Sequence, residues 1–421
     1  MNKKLLVLET NSNIANAEII QMAQKMGIHV VVTGYTNIDD SPVKQLADES
    51  WDISTADIDM LIEKCREVGI DGVFGGTDFA VDVAIALSEA LGIPYYCDKE
   101  TWHYSRNKVD FKQRCREYGV PVVPEIVIEP QDEIDFNDIE FPVVVKPCDR
   151  SGNVGISFCF DEEQLKNALR AAKAKAENGQ VIIEKYMTGM EYTPFYVLAD
   201  GEPRLLYLSS MLIEPGMPTN CYTVSSTVVS TKAMKKYLND IDPQVRALLR
   251  GIGCRDGVAW LELMTDESGD YYAIEMGHRL SGEMLWASMP QVRDFSPLRW
   301  MVDYAVNGAS DKSLMPSSFD GTEEKVGCGY ILWTRRGGVV GSVEGLSKIS
   351  KMLNATVHAV AKQGSTIDPY AYALIISFKS DSRRQMCENI RLINSNVSMK
   401  DTDGKEMLSF FTDFDSILEM D

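Results

Sequence analysis

Alternation of short apolar runs with amphipathic stretches over the first hundred residues restricts this chain more than any other feature. KLLVLE is followed by Ala15 to Met26, IHVVVTGY, Ile58 to Val68, DGVFGG and Val81 to Leu91. The apolar runs read as buried strands, and the stretches between them carry the 3.6-residue period of helices. Strand and helix in that alternation predict a parallel α/β sheet covered by helices. The strand ends carry ETNSN, GYTN and GGTD, and open α/β sheets bind ligands at that carboxyl edge. No GxGxxG follows the first strand and no GxxxxGK[ST] occurs, which excludes a dinucleotide fingerprint and a P-loop.

The remaining chain changes character. A helix, KVDFKQRCREYG, leads into extended VPVVPEIVI, and FPVVVKPCDRSGNVGISF and VIIEKYM read as strands interrupted by a glycine-containing loop, so this unit is α+β. LMPSSFDGTEE reads as a linker. Beyond it GCGYILWTRRGGVVGSV and YALIISFKS read as strands and RRQMCENIRLINSNV as a helix. The expected divisions are an N-terminal α/β domain at 1–105, a central domain at 106–310 and a smaller β-rich C-terminal domain at 311–421. A length of 421 residues accommodates two to four domains.

Charge and cysteine usage narrow the function. With 62 acidic against 42 basic residues the net charge is −20, which argues against a partner that is nucleic acid or an anionic membrane. Any phosphate site has to be locally basic. The apolar run after Lys4 is too short for a signal peptide, and no stretch approaches the roughly 18 apolar residues of a membrane span. Nine single cysteines without a CxxC pair fit buried thiols in a reduced, cytoplasmic protein.

WLELMTDESGDYYAIEMGHRLSG, Trp260 to Gly282, concentrates the chemistry. Runs at Val258 to Met264 and Tyr271 to Met276 flank a turn rich in Asp, Ser and Gly, the pattern of an antiparallel hairpin. With Ser268 and Gly269 at the turn, Glu262 stands opposite Glu275. Glu262 then shares its face with Trp260 and Met264, and Glu275 with Ala273 and Arg279. Like charges directly opposite, with Cβ atoms about 5 Å apart, repel unless something positive lies between them. Magnesium, or manganese in its place, is a hard cation suited to two carboxylates beside substrate phosphates. The alternative is a slipped register with two solvated glutamates.

Lys146 ends the apolar run FPVVVK, and Ser151, Gly152 and Gly155 follow in the loop SGNVG. An ammonium beside glycines, whose N–H groups approach anions closely, makes a phosphate cradle; a strand-terminal lysine with a hairpin turn is the plainer reading. Lys108 offers a second phosphate contact from a helix start. In VIIEKYM, a strand leaving its sheet offers backbone to an adenine edge while Glu184 accepts from its amino group. Glu191, beyond the turn TGM, is placed to accept from ribose hydroxyls or to face water.

In this order Lys108, Lys146, the glycine loop, EKYM, Glu191, Glu262, Glu275 and Arg279 resemble the ATP-grasp superfamily, in particular its carboxylate–amine ligases, a group that includes L-amino-acid ligases and carbamoyl-phosphate-synthase-like ligases. The resemblance covers nearly the whole chain, and FGGTDFAVDVAIALSEALGIPYY is similar to the last βα unit of the preceding domain. It implies that Lys108 and Lys146 contact ATP phosphates and that the glycine loop, within a mobile subdomain at about 115–190, closes over them. Glu184, Lys185, Tyr186 and Met187 clamp the adenine, Glu191 binds the ribose, and Glu262 and Glu275 hold magnesium. A homodimer is also a family expectation.

One position departs from the family. The motif E-x-N-x-R reads Glu275-Met276-Gly277-His278-Arg279 here, so the ligand asparagine is replaced by glycine. The implied reaction activates a carboxylate as an acyl phosphate, with Lys146 offsetting phosphate charge and Arg279 holding the substrate carboxylate or the oxyanion. An amine then attacks. Alternatives are phosphoryl transfer to a small acceptor and, because of Gly277, nucleotide binding without turnover. MPTNCYTVSST and RLSGEMLW weakly favour a small or apolar substrate, and both segments equally suit a domain interface.

Overall fold

A computed structural model describes residues 2–10, 15–132, 136, 139–150, 152 and 154–420. Strands β1 (Lys4–Leu8), β2 (His29–Thr33), β3 (Glu49–Trp51) and β4 (Gly72–Gly75) pair in parallel in the order β3-β2-β1-β4. Alternation along β1 sends Leu5 and Val7 into one core with Ile19 and Ile20, and Leu6 and Leu8 into another with Leu61 and Cys65. Helices Asn16–Lys25 and Ile58–Val68 therefore cover opposite faces, as the βαβ rhythm predicts. Strand β3 has no apolar run to announce it: three residues at the sheet edge, with only Trp51 buried.

The second sheet is antiparallel, with β5 (Glu125–Ile128), β6 (Val143–Pro147), β7 (Ser157–Cys159) and β8 (Val181–Lys185) in the order β5-β8-β6-β7. The amphipathic helix Glu162–Lys175 lays Leu165, Leu169 and Ala172 on Val143, Val145, Val181 and Ile183, closing a small separate core.

The largest sheet contains β9 (Glu191–Ala199), β10 (Glu202–Ile213), β11 (Tyr222–Ser226), β12 (Gly257–Thr265), β13 (Tyr271–Gly277) and β14 (Val326–Thr334). It is followed in the chain by β15 (Gly338–Glu344), β16 (Thr356–Ala359), β17 (Thr366–Ile367), β18 (Tyr372–Ser380), β19 (Ser398–Asp401) and β20 (Leu408–Ser409). The long order is β13-β12-β9-β10-β11-β14-β18-β16, with β20 beside β14 and a small β17-β15-β19 sheet apart. Pairing of Val224 with Tyr330 joins the strands after the linker to the central sheet, so the two regions share one layer. Phe195, Val197 and Val258 of this sheet share a core with Leu5, Val7 and Ile19, which fixes the parallel sheet against it. All nine cysteines are free and buried.

Candidate active site

The carboxyl ends of β1 and β4, the hairpin β12–β13 and the edge of β6 converge on one cleft of about 1290 Å³. Glu9, Thr10, Gly76, Thr77 and Asp78, at the carboxyl edge of the parallel sheet, supply one wall of the cleft. Lys108, Lys146, Gly152, Glu191, Glu262, Glu275 and Arg279 all line it. Gly155, Glu184, Lys185, Tyr186 and Met187 lie outside that lining, and Ser151 falls outside the described residues.

Glu262 does stand in register with Glu275, but the turn that brings them together differs from the simple one expected. Asp266 Oδ1 accepts from the N–H groups of Ser268 and Asp270, both at 2.9 Å, which lengthens the turn beyond Ser268-Gly269. Pairing next to the turn is Thr265 with Tyr271, one residue out of step. A bulge between Glu262 and Leu263 restores the register. Its consequence corrects the expected face of Ala273: that residue is buried in the core with Leu261 and Leu263, and Ile274 takes its place beside Glu275 on the cleft wall.

Three acids crowd this wall. Burial, then the charges of Glu275 and Glu191, pushes the Glu262 carboxyl well above its ordinary value. Glu191 is raised to about 7, mainly by burial, with Glu275 and Glu283 adding to the effect and a Tyr222 hydrogen bond opposing it. Lys146 opposes both shifts, and Lys108 that of Glu262, without cancelling them. Among the described residues no group of three His, Cys, Asp or Glu side chains is placed to hold a metal alone. Two in-register carboxylates, one of them held protonation-prone by burial and like charge, nevertheless suit a hard divalent ion that takes its remaining oxygens from substrate and water.

Opposite the acids stand two buried lysines. Asn107 caps the helix Lys108–Glu117 by accepting from the N–H groups of Val109 and Asp110, and this holds Lys108 at the helix start. Its Nζ donates to the Arg150 carbonyl at 2.6 Å and pairs with Glu275 at 2.9 Å. Burial pulls the Lys108 pKa down, but Glu275, Glu262 and Glu184 together hold it above its ordinary value. Lys146 reaches Glu184 at 2.8 Å, and burial, reinforced by Lys112 and Lys108, depresses its pKa despite that partner.

Glu184 is thus committed behind the wall. One oxygen accepts from Lys146 and the other from Lys112, and Lys112 also reaches Glu125 at 2.7 Å. Burial alone would raise Glu184, but the two ammoniums hold it below its ordinary value. Sequence reasoning missed Lys112 although it lies four residues after Lys108, on the same helix face. Tyr186 packs edge-on against Phe158 with ring centroids 5.9 Å apart.

Arg279 is held on both sides. Nε pairs with Asp78 at the start of the helix Asp78–Leu91, and Nη1 donates to the Leu280 carbonyl at 2.9 Å. Arg106 shares Asp78 at 3.8 Å and reaches Asp82 at 3.6 Å. The guanidinium lies over the Trp260 ring, 5.4 Å from its centroid, and Trp260 Nε1 donates to the Arg279 carbonyl at 2.8 Å. Trp260 also explains Gly277, its cross-strand partner: a Cβ at 277 would stand 2.2 Å from the Trp260 ring. The space of the expected asparagine is filled by an indole. His278 points away, buried, with Nε2 at 3.0 Å from the Asp256 carbonyl and its pKa lowered by burial to about 4.

A family model described as an ATP-grasp domain matches residues 139–286, which include the two glutamates, Lys146 and Arg279. Over that stretch the chain is similar to an ATP-grasp domain. The N-terminal section of the carbamoyl phosphate synthase large chain from Aquifex aeolicus is 26% identical over 258 residues, 58% of this chain and 46% of that protein. The 2-oxoglutarate carboxylase small subunit of Hydrogenobacter thermophilus is 24% identical over 302 residues, 67% of this chain and 62% of that protein. The chain thus spans about half to three-fifths of these two curated relatives.

Among solved structures, L-amino acid ligase from Bacillus licheniformis superposes with a TM-score of 0.77 at 17% identity, covering 95% of this chain and 99% of that one. The biotin carboxylase domain of the Hydrogenobacter thermophilus 2-oxoglutarate carboxylase, a dimer in complex with MgADP and bicarbonate, superposes at 0.76 with 18% identity, covering 97% and 92%. The ATP-grasp fold is common to them and to this chain. No helix among the described residues is long and apolar enough to cross a membrane.

Proposed function

We propose that this protein is an ATP- and magnesium-dependent ligase that activates a carboxylate as an acyl phosphate and joins it to an amine, releasing ADP and phosphate. One observation carries the reading: two buried lysines and two in-register glutamates face each other across a single cleft that also holds Arg279. Glu262 and Glu275 would hold magnesium or manganese, which when bound neutralises nucleotide phosphate charge. Lys108 and Lys146 take the phosphates, and the loop that carries Gly152 and Gly155 would close over them with its subdomain.

Carboxylate attack on the γ-phosphorus spreads negative charge over oxygens that Lys108 and Lys146 face without rearranging. Glu184 and Lys112 act behind Lys146, fixing its ammonium so that no reorganisation is needed when charge develops. Arg279, anchored by Asp78 and Trp260, holds the substrate carboxylate and then the oxyanion formed when the amine attacks the acyl carbon. Phosphate leaves from that intermediate. Lys185, Tyr186 and Met187 frame the adenine from the second sheet, and Glu191 takes the ribose. The printed names of the similar proteins, an L-amino acid ligase and carbamoyl phosphate synthases, support carboxylate activation and amide chemistry here.

The test is phosphate release from ATP with magnesium across a panel of carboxylates crossed with amines. Release that requires both partners supports the ligase. Release with a carboxylate or another acceptor alone, yielding a stable phosphorylated product, replaces it with a kinase. Light scattering on the full chain tests the homodimer expected alongside it.

A further inference from the structure

The far end of the cleft has a chemistry of its own. Loop residues Ser281 to Trp286 lie directly on β14, and Gly329 makes this approach feasible: a Cβ there would stand 2.5 Å from the Glu283 carbonyl. Against the loop the cleft is walled by Met211, Ile331, Trp333 and Tyr372. The polar atoms of the two aromatics are spent on backbone, Trp333 Nε1 donating to the Tyr222 carbonyl at 2.8 Å and the Tyr372 hydroxyl to the Gly282 carbonyl at 3.1 Å. The two rings meet edge to face at 4.8 Å and present hydrocarbon.

Glu283, which is 8% exposed, lines this end, and Glu191, in register with Met211, is close enough to feel its charge. Ser281 donates to Glu283 Oε1 at 2.6 Å. The basic residues lining the cleft are all paired with acids other than Glu283: Arg106 and Arg279 with Asp78, Lys108 with Glu275, Lys146 with Glu184 and Arg150 with Glu177. Glu283 makes no ion pair among the described residues. Burial raises its pKa, while Ser281, its own backbone amide and the more distant Arg279 oppose that effect. A buried carboxylate with no cation of its own, beside aromatic faces, has an unmet demand for positive charge.

We propose that Glu283, with Trp333 and Tyr372, forms a subsite for an ammonium group carried next to an apolar side chain, so that a substrate of this enzyme is an apolar amino acid or a close amino compound. The inference rests on the ligase reading, since it names a substrate class for that same cleft. An ammonium supplies the missing charge, donates to the Glu283 carboxylate and lies against rings that favour cations. The apolar remainder fills the space between Ile331 and Met211. Acidic substrates are disfavoured by the same carboxylate.

Calorimetry of the full chain with L-leucinamide and with 4-methylpentanamide, which differ only in the amino group, separates charge recognition from burial of the side chain. The expected result is that wild type binds L-leucinamide at least about tenfold more tightly, the order of a charge-assisted hydrogen bond. Glu283→Gln should abolish that preference and Glu283→Asp should keep part of it, with 4-methylpentanamide affinity little changed in both. Equal binding of the two amides by wild type, or binding of neither, overturns the proposal without reference to any variant. A preference that persists in folded Glu283→Gln also overturns it. Nucleotide binding measured separately with magnesium and a fluorescent ATP analogue keeps the two claims apart: its loss strikes the ligase reading, whereas an absent ammonium preference strikes only this one.

Discussion

Gly277→Ala adds a single methyl group and tests whether Trp260 truly occupies the place of the absent ligand. The new Cβ would lie 2.2 and 2.3 Å from two ring carbons of Trp260. Carbon atoms rest about 3.5–4.0 Å apart, so the ring or the strand must move by more than about 1 Å. The ring is not free to yield, because Nε1 donates to the Arg279 carbonyl at 2.8 Å and the Arg279 guanidinium covers its face. Overpacking costs about 1–3 kcal/mol, and a lost hydrogen bond adds about 1 kcal/mol, so the substitution should destabilise by about 2–4 kcal/mol. Trp260→Ala alone should cost about 3–5 kcal/mol through the cavity it opens. In that background Gly277→Ala should cost little, giving a coupling of about 2 kcal/mol or more in a double-mutant cycle. Urea denaturation of the four proteins, followed by tryptophan-independent far-UV circular dichroism, reads the cycle. Additive costs, or a Gly277→Ala protein as stable as wild type, would refute the packing argument.

The remaining predictions concern charge. Glu184→Gln leaves Lys146 buried without its ion-pair partner and Lys112 with Glu125 alone, so it should destabilise by about 3–5 kcal/mol, read as a fall in urea midpoint. A smaller loss than that of an exposed control such as Glu162→Gln would contradict the buried ion chain. Glu191 is raised from an ordinary 4.5 to about 7, so the native state keeps a proton that the unfolded state has lost. Its contribution is complete below about pH 4.5 and disappears as pH rises through about 7, up to roughly 3 kcal/mol in metal-free protein. The difference in melting temperature between wild type and Glu191→Gln should therefore shift against wild type over that window, and a pH-independent difference would dismiss the raised pKa. Removal of divalent ions, or Glu275→Gln, should lower ATP turnover at least about a hundredfold, checked by ADP release; unchanged turnover in either case would remove the metal role of the hairpin.

The sequence makes local features legible and hides the ones assembled from distant segments. Helix Ile58–Val68 and the parallel strands follow from a hydrophobic period set by residues within a few positions of each other. The opposition of Glu262 and Glu275 was also legible, although two departures had to cancel: Asp266 lengthens the turn, and the bulge restores the register. Ala273 was misassigned for that reason, since strict alternation does not survive a bulge. Gly277 could be recognised as an exception, but its cause could not, because Trp260 reaches it from the opposite strand. Lys112 was hidden for a similar reason: its partners Glu125 and Glu184 come from two strands of another sheet. The continuation of the central sheet into β14 and β18 depends on strand order, which hydrophobic pattern does not encode.

Trapping the activated carboxylate tests the central claim most directly. With ATP, magnesium and a carboxylate substrate found by the phosphate-release panel, hydroxylamine should replace the amine and yield the hydroxamate in step with ADP. Wild type should form it, and Glu275→Gln and Lys146→Met should not. ADP formation with no hydroxamate, or with a stable phosphorylated acceptor in its place, would contradict an acyl phosphate ligase.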